Sequence, residues 1–386
     1  MNYGYKTFVY TSIMFLLSCG SDEIVQYFEY PDHNVLNIGS QLTDLVVTND
    51  SNTLIAADKG NNQVRFIDVS TDNMSIIANV WVGSEPTSLE LTADGQYLLV
   101  GLQGASSVAV LSVLDMELLG SILLDGDGLY DIEYINNTDQ LIVSFVASNP
   151  TYNKTKLYDL DNWTDFIATP STAQIGNTTV ELEDDYAGFI SVSDDEEFVY
   201  IIDRFGGIDR VYKYNISGNW LSPEAYSGVV GVISSFHDIE YVPDFGVVVA
   251  IGGVDAFGED YLDHSSVFNL DELSHIANFG VGSTPLALTY DPIGEHIYIS
   301  PTDVDDNGMF VIEYSIQTQL QTNYYQVAGR LGSHALVVDP NGEYIYAAVD
   351  DLSDQDTDEP YNNSSFNIQK IKILPEGTYG AINNFE

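Results

Sequence analysis

A short unit that returns seven times constrains this chain more than any other feature. Its clearest copy is PTSLELTADGQYLLV at residues 86–100. It returns as PLALTYDPIGEHIYI at 285–299 and as HALVVDPNGEYIYA at 334–347. Each copy is a short alternating run, a turn rich in Asp, Pro, Asn and Gly, and a second run, which is the signature of a β-hairpin. Weaker copies fill the intervals: DLVVTNDSNTLI at 44–55, DIEYINNTDQLI at 131–142, GFISVSDDEEFV at 188–199 and DIEYVPDFGVVV at 238–249. Aligned on the first apolar residue, the anchors are Leu45, Leu89, Ile132, Phe189, Ile239, Leu288 and Leu336, spaced by 44, 43, 57, 50, 49 and 48 residues. Two further strands follow each hairpin, as in Gln63 to Asp68 and then Ile76 to Val82. A four-stranded unit of this length, repeated seven times, predicts an all-β chain folded as a seven-bladed β-propeller of four-stranded antiparallel blades.

The last repeat has little room for a fourth strand, while Ile24 to Tyr30 is a β-rich segment left over ahead of the first. Pairing these two would remove an open edge; Thr378 to Ile382 is the alternative source of that strand. The expected organisation is therefore a signal segment over 1–18, an anchor, tether and closing strand over 19–40, and the propeller over 41–386.

Residues 1–18 hold one basic residue, Lys6, and an apolar stretch from Phe8 to Leu17, the layout of a signal peptide. LLSC at 16–19 resembles the bacterial lipobox, which implies that Cys19 is acylated and becomes the mature N-terminus. The GSDE run at 20–23 resembles the surface-export signal of Bacteroidetes lipoproteins, which implies an outer-membrane lipoprotein exposed at the cell surface. Membrane contact is then expected through the lipid alone, since no apolar run long enough to span follows. Cys19 is the only cysteine, so no intramolecular disulfide can form.

The chain carries 58 Asp plus Glu against 11 Lys plus Arg, a formal net charge of −47. Such a surface repels phosphate backbones and anionic headgroups, which argues against nucleic acid as a partner and favours cations.

The spacing of apolar, Asp-Gly and Val positions at 86–100, followed by Phe66 to Val69 and Val80 to Gly83 in the neighbouring repeat, resembles the YVTN-type surface propeller family. The resemblance covers roughly residues 41–350 and implies secretion and a seven-bladed ring. It implies no reaction, because propellers host binders and enzymes alike.

In a propeller the innermost strand of each blade starts at one end of the central channel. The residues just before the seven anchors are Asp44, Ser88, Asp131, Gly188, Asp238, Ala287 and Ala335, with His237 and His334 one position earlier. Asp44, Asp131, His237, Asp238 and His334 are thus expected to ring the channel mouth, where oxygen and imidazole groups can hold a divalent cation or a polar ligand, or can simply cap the strand starts. Loops rich in acid groups should overhang the same face at 255–264, 303–308 and 350–359. Asp303, Asp305 and Asn307 match the front half of a calcium loop, whereas Tyr314 stands where such a loop needs a bidentate Glu, so the expectation is a short calcium turn at most. No Gly-x-Ser-x-Gly elbow occurs and the single cysteine is the expected anchor, so no residue is assigned to catalysis. The leading expectation is a non-enzymatic, lipid-anchored propeller that binds a protein, a glycan or a cation on its acidic face. The alternative is a metal-dependent lactonase or related hydrolase with its site at the channel mouth.

Overall fold

The computed structural model describes residues 34–126, 128–145, 154–160, 174–175, 177–181, 188–202, 210–217, 220–228, 232–254, 264–281, 284–301, 309–327, 329, 331–350 and 365–375. These residues form strands, with a single short 3-10 turn at Lys59–Asn61. The strands group into seven antiparallel blades whose innermost members are Val35–Val47, Pro86–Leu91, Leu129–Ile135, Ile190–Val192, Val232–Val242, Pro285–Asp291 and Leu331–Val338. The fold is a seven-bladed β-propeller.

Why the ring holds together is visible in how single strands divide their residues. In Thr53–Asp58, Leu54 and Ala56 face blade 7, whereas Ile55 and Ala57 face blade 2. Successive side chains of a strand point to opposite faces, so a middle strand packed on both sides must be apolar throughout. Leu98 to Leu102 and Leu141 to Val143 read as unbroken apolar runs for that reason. The outermost strand Ser75–Trp81 has only one packed face and alternates exposed and half-buried residues along its length. The buried apolar residues fall into seven clusters, one for each contact between neighbouring blades, including the contact between blades 7 and 1. Tyr200, Tyr298 and Tyr346 sit at matching points of three blades and are fully buried in these clusters.

Closure uses one strand twice. Val35–Asn37 pairs antiparallel with Asn367–Gln369, completing blade 7, and Leu42 to Val47 then forms the inner strand of blade 1. Gly39, whose φ of +73° suits glycine, lies in the break of register between Asn37 and Leu42, and Leu42 pairs with both Ser365 of blade 7 and Asp58 of blade 1. The closing residues thus lie just after the segment expected from the sequence; Ile24 to Tyr30 and Thr378 to Ile382 are both outside the described residues.

Two further departures from the repeat have physical causes. The longest interval, before blade 4, contains Gln174–Ile175, which pairs parallel with Ile122 and Leu123 and gives blade 2 a fifth strand. The hairpin turns each place one residue in the left-handed region: Ser51, Gly95, Asp139, Glu196, Asp244, Glu295 and Gly342. Only two of these are glycine, which is why the turn signal fades in the weaker copies. In the three turns that begin with Thr48, Thr92 and Ser193, the hydroxyl donates to the Asp two positions on and accepts from the N–H five positions on.

Two of the few cations bridge blades from within. Lys213 lies over the Phe198 ring and donates to the Leu270 carbonyl of blade 5 at 2.7 Å. Lys370 lies over Tyr344 and donates to the Val69 and Thr71 carbonyls of blade 1 at 2.6 and 3.0 Å, across the closure. Replacing Lys370 by Met keeps the apolar stem and deletes both bonds. The expected result is a loss of about 1–3 kcal/mol in denaturant unfolding, and an unchanged midpoint would show that the bonds do not brace the closure.

Candidate functional site

The inner strand of every blade leaves one edge unpaired along the channel, and its N–H groups need acceptors. Three aspartates supply them. Asp44 accepts from the N–H of Leu45, in its own blade, at 2.7 Å and from that of Leu89, in blade 2, at 2.6 Å. Asp131 accepts from Ile132 at 2.9 Å and from Ile190 of blade 4 at 2.8 Å, and also takes the Ser88 hydroxyl of blade 2 at 2.7 Å. Asp238 accepts from Ile239 at 2.9 Å and from Leu288 of blade 6 at 2.7 Å. Each carboxylate therefore clips two neighbouring blades, joining 1 to 2, 3 to 4 and 5 to 6.

This pattern corrects the alignment in blade 4. The residue that receives the clip there is Ile190, not Phe189, so Phe189 and not Gly188 stands at the channel position. Its ring stacks on that of His334, with centroids 5.0 Å apart, and meets Tyr130 at 4.9 Å. His334, from blade 7, has a left-handed φ of +55°. Its Nδ1 lies 2.7 Å from Asp238 Oδ1 and its Nε2 lies 3.5 Å from Asp44 Oδ1. Of the five mouth residues expected from the sequence, the structure thus links Asp44, Asp238 and His334 directly. Asp131 stands between blades 3 and 4. His237 is buried in the inner strand of blade 5, at the bulge beside Asp238.

One layer further along the channel stand three residues that the sequence reading passed over: Glu90, Glu133 and Glu240. Each is two positions after a mouth residue, and residues i and i+2 of a strand point the same way. No hydrogen-bond donor among the described residues reaches their carboxylates. Burial pushes Glu90 up to about 8, with the Asp131 and Asp44 charges adding to the shift. Glu240 is likewise pushed up to about 8 by burial and then by Asp238. Glu133 is raised well above the usual carboxylate range by burial and by Glu90. Among the mouth residues, burial raises Asp44 to about 7 against the opposing pull of His334 and the Leu89 N–H, and raises Asp131 as well. Burial disfavours the charged His334 ring, yet the Asp238 and Asp44 carboxylates overcome it and hold its pKa well above the usual histidine value. The described channel thus gathers six carboxyl groups around one imidazolium.

Among the described residues, no group of three or more His, Cys, Asp or Glu is arranged to hold a metal ion. Asp303, Asp305 and Asn307 lie outside the described residues, as does Cys19.

Residues 23–117 match a family model described as Lactonase, 7-bladed beta-propeller, a segment that reaches through blade 1 and most of blade 2. The match is to a small part of the ring. No curated protein matches the sequence. Among solved structures, a chain titled "Kuenenia stuttgartiensis Hydrazine Synthase" superposes with a TM-score of 0.63 at 18% identity, covering 85% of this chain and 96% of that one. Another, titled "Structure of U3-55K", gives a TM-score of 0.61 at 11% identity, covering 88% of this chain and 98% of that one. Likeness at these identities is a likeness of fold, and it extends over most of the chain.

Proposed function

We propose that this chain is a non-enzymatic binding propeller, held to the outer membrane by acylated Cys19 and exposed at the cell surface, whose channel receives a cationic group. The observation that carries this reading is the glutamate layer. Glu90, Glu133 and Glu240 have no donor among the described residues, and a single imidazolium faces six carboxyls. A cation entering between them would supply opposing charge that the described channel residues, His334 apart, do not, and it would pull their raised pKa values down. The acidic segments around 255–264, 303–308 and 350–359, expected from the sequence to overhang the same face, would gather cations or a basic patch on a protein partner, whereas nucleic acid would be repelled.

Calorimetric titration with calcium and, separately, with spermidine tests the proposal. The wild-type chain is expected to bind, and the triple variant Glu90→Gln, Glu133→Gln, Glu240→Gln to lose at least about ten-fold in affinity, equivalent to about 1.4 kcal/mol. Asp305→Ala separates the sites: if it removes calcium binding and leaves spermidine untouched, calcium sits in the 302–308 loop and not in the channel. Absence of binding by the wild type to both probes would overturn the reading.

A second reading is favoured by the lactonase-family match over 23–117. In it, the mouth formed by Asp44, Asp131, Asp238 and His334 would act on a lactone ring, with His237 at its border. Turnover of a sugar lactone by the purified chain, abolished in Asp238→Asn, would replace the binding proposal.

A further inference from the structure

The three aspartate clips leave an odd blade over. They join blades 1 to 2, 3 to 4 and 5 to 6, and Ser88 extends the series from blade 2 to blade 3 through Asp131. In blade 7 the residue at the clip position is Ala335, and blade 6 likewise presents Ala287, so neither side of that contact has a side-chain acceptor to offer at this level. One residue earlier in blade 7 stands His334. From there its Nδ1 reaches Asp238 of blade 5 at 2.7 Å, its Nε2 faces Asp44 of blade 1 at 3.5 Å, and its ring stacks on Phe189 of blade 4. The backbone takes a left-handed φ of +55° at this residue, a conformation that persists in a non-glycine residue when its surroundings hold it there.

We infer that His334 is a cross-channel tie: it fastens blade 7 to the two aspartate clips on either side of the gap, and so serves as a second closure of the ring beside the pairing of Val35–Asn37 with Asn367–Gln369. The strand closure is short, with three consecutive paired positions before the register shifts. It acts at the outer rim of blade 7. The histidine acts at the inner rim of the same blade, so the two hold it from opposite sides. The inner strand of blade 7 is otherwise held by apolar packing on blades 6 and 1 and, toward its far end, by the Val338 N–H donating to Thr289 Oγ1 of blade 6 at 3.3 Å; the tie fixes its channel end, where no such bond is made among the described residues. The tie differs from the clips in one respect that bears on its use. A clip carboxylate binds two adjacent inner strands, whereas His334 reaches past blade 6 to Asp238 of blade 5 as well as facing Asp44 of the neighbouring blade 1.

The test is native-state hydrogen exchange followed residue by residue in three full-length variants. His334→Asn accommodates the left-handed backbone but is too short to reach both carboxylates. In it, the amides of Leu331–Val338 and of Val35–Asn37 are expected to exchange at least about ten-fold faster, while those of Leu98 to Leu102 in blade 2 keep their wild-type rates. His334→Gln, which keeps an amide donor for Asp238, is expected to recover part of that protection. Asp238→Asn is the partner arm, and combining it with His334→Asn should add little to either single change. Wild-type exchange of blade 7 in His334→Asn would overturn the proposal, and so would an equal acceleration in every blade. Should His334→Asn fail to fold, the comparison passes to His334→Gln and Asp238→Asn: unchanged protection of blade 7 in both of these variants would overturn it.

Discussion

Raising the pH from about 5 to about 8.5 is expected to lower the melting temperature of this propeller by roughly 5 °C at fixed salt. Glu90 and Glu240 have folded-state pKa values near 8, and Glu133 lies well above its usual range, so the folded chain keeps protons that the unfolded chain releases near pH 4.5. A raised folded pKa means that the contribution is fully present below the unfolded value and is lost as pH climbs through the folded one. Asp44, raised to about 7, works in the same direction, and so does His334, whose charge is lost only at high pH. A carboxyl moved alone from 4.5 to 8 would link about 4–5 kcal/mol to its proton. Glu133 is raised in part by Glu90 and by Glu240, so the shifts share their causes, and all three side chains are half-buried, which reduces the total for the set to about 3 kcal/mol. The many surface carboxylates also destabilise the chain by mutual repulsion, but they finish ionising by about pH 5.5 and leave the upper window to the channel groups. The control is the Glu90→Gln, Glu133→Gln, Glu240→Gln variant, which should match the wild type near pH 5 and exceed it at pH 8.5. A stability that rises over this window would contradict the burial-driven shifts.

Asp131→Ala is expected to be among the most damaging single substitutions in the inner ring. The carboxylate is buried and accepts from the Ile132 N–H, the Ile190 N–H and the Ser88 hydroxyl, so its removal strands the Ile190 N–H and the Ser88 hydroxyl and leaves the Ile132 N–H only its longer bond to Ser88 Oγ at 3.3 Å. Leaving buried donors unpaired costs about 1–3 kcal/mol each, and relief of repulsion with the nearby glutamates offsets part of that, giving a net loss of about 3–5 kcal/mol. Asp131→Asn keeps one oxygen acceptor and sheds the charge, so its loss should be nearer 1–2 kcal/mol. Equilibrium denaturation of the two variants side by side checks the ranking; if Ala is no worse than Asn, the residue is not acting as a clip.

Much of the site was legible once the repeat had been aligned. Asp44, Asp131 and Asp238 precede their anchors in blades 1, 3 and 5, and the structure puts all three at the inner edge of the ring. The glutamates carried a signal too. The tetrapeptide Asp-Ile-Glu-Tyr occurs at 131–134 and again at 238–241, and Glu90 follows Ser88 at the same interval. Reading one channel position per blade hides this, because a strand lying along a channel presents every second residue to it. In blade 4 the sequence leaves the register open by one residue, because Gly188, Phe189 and Ile190 all suit the start of a buried strand. Only the hydrogen bond from the Ile190 N–H to Asp131 fixes the register.

The repeat, the number of blades and the apolar-throughout middle strands follow from local periodicity and from the need to bury both faces of a strand, and so are written in the chain itself. Tertiary structure alone decided which strand completes blade 7, where the inserted segment before blade 4 pairs, and how His334 reaches Asp238 across 96 residues of chain. Those outcomes depend on contacts between distant segments that only the closed ring brings together, and no local pattern records which distant partner a strand edge or a side chain will meet.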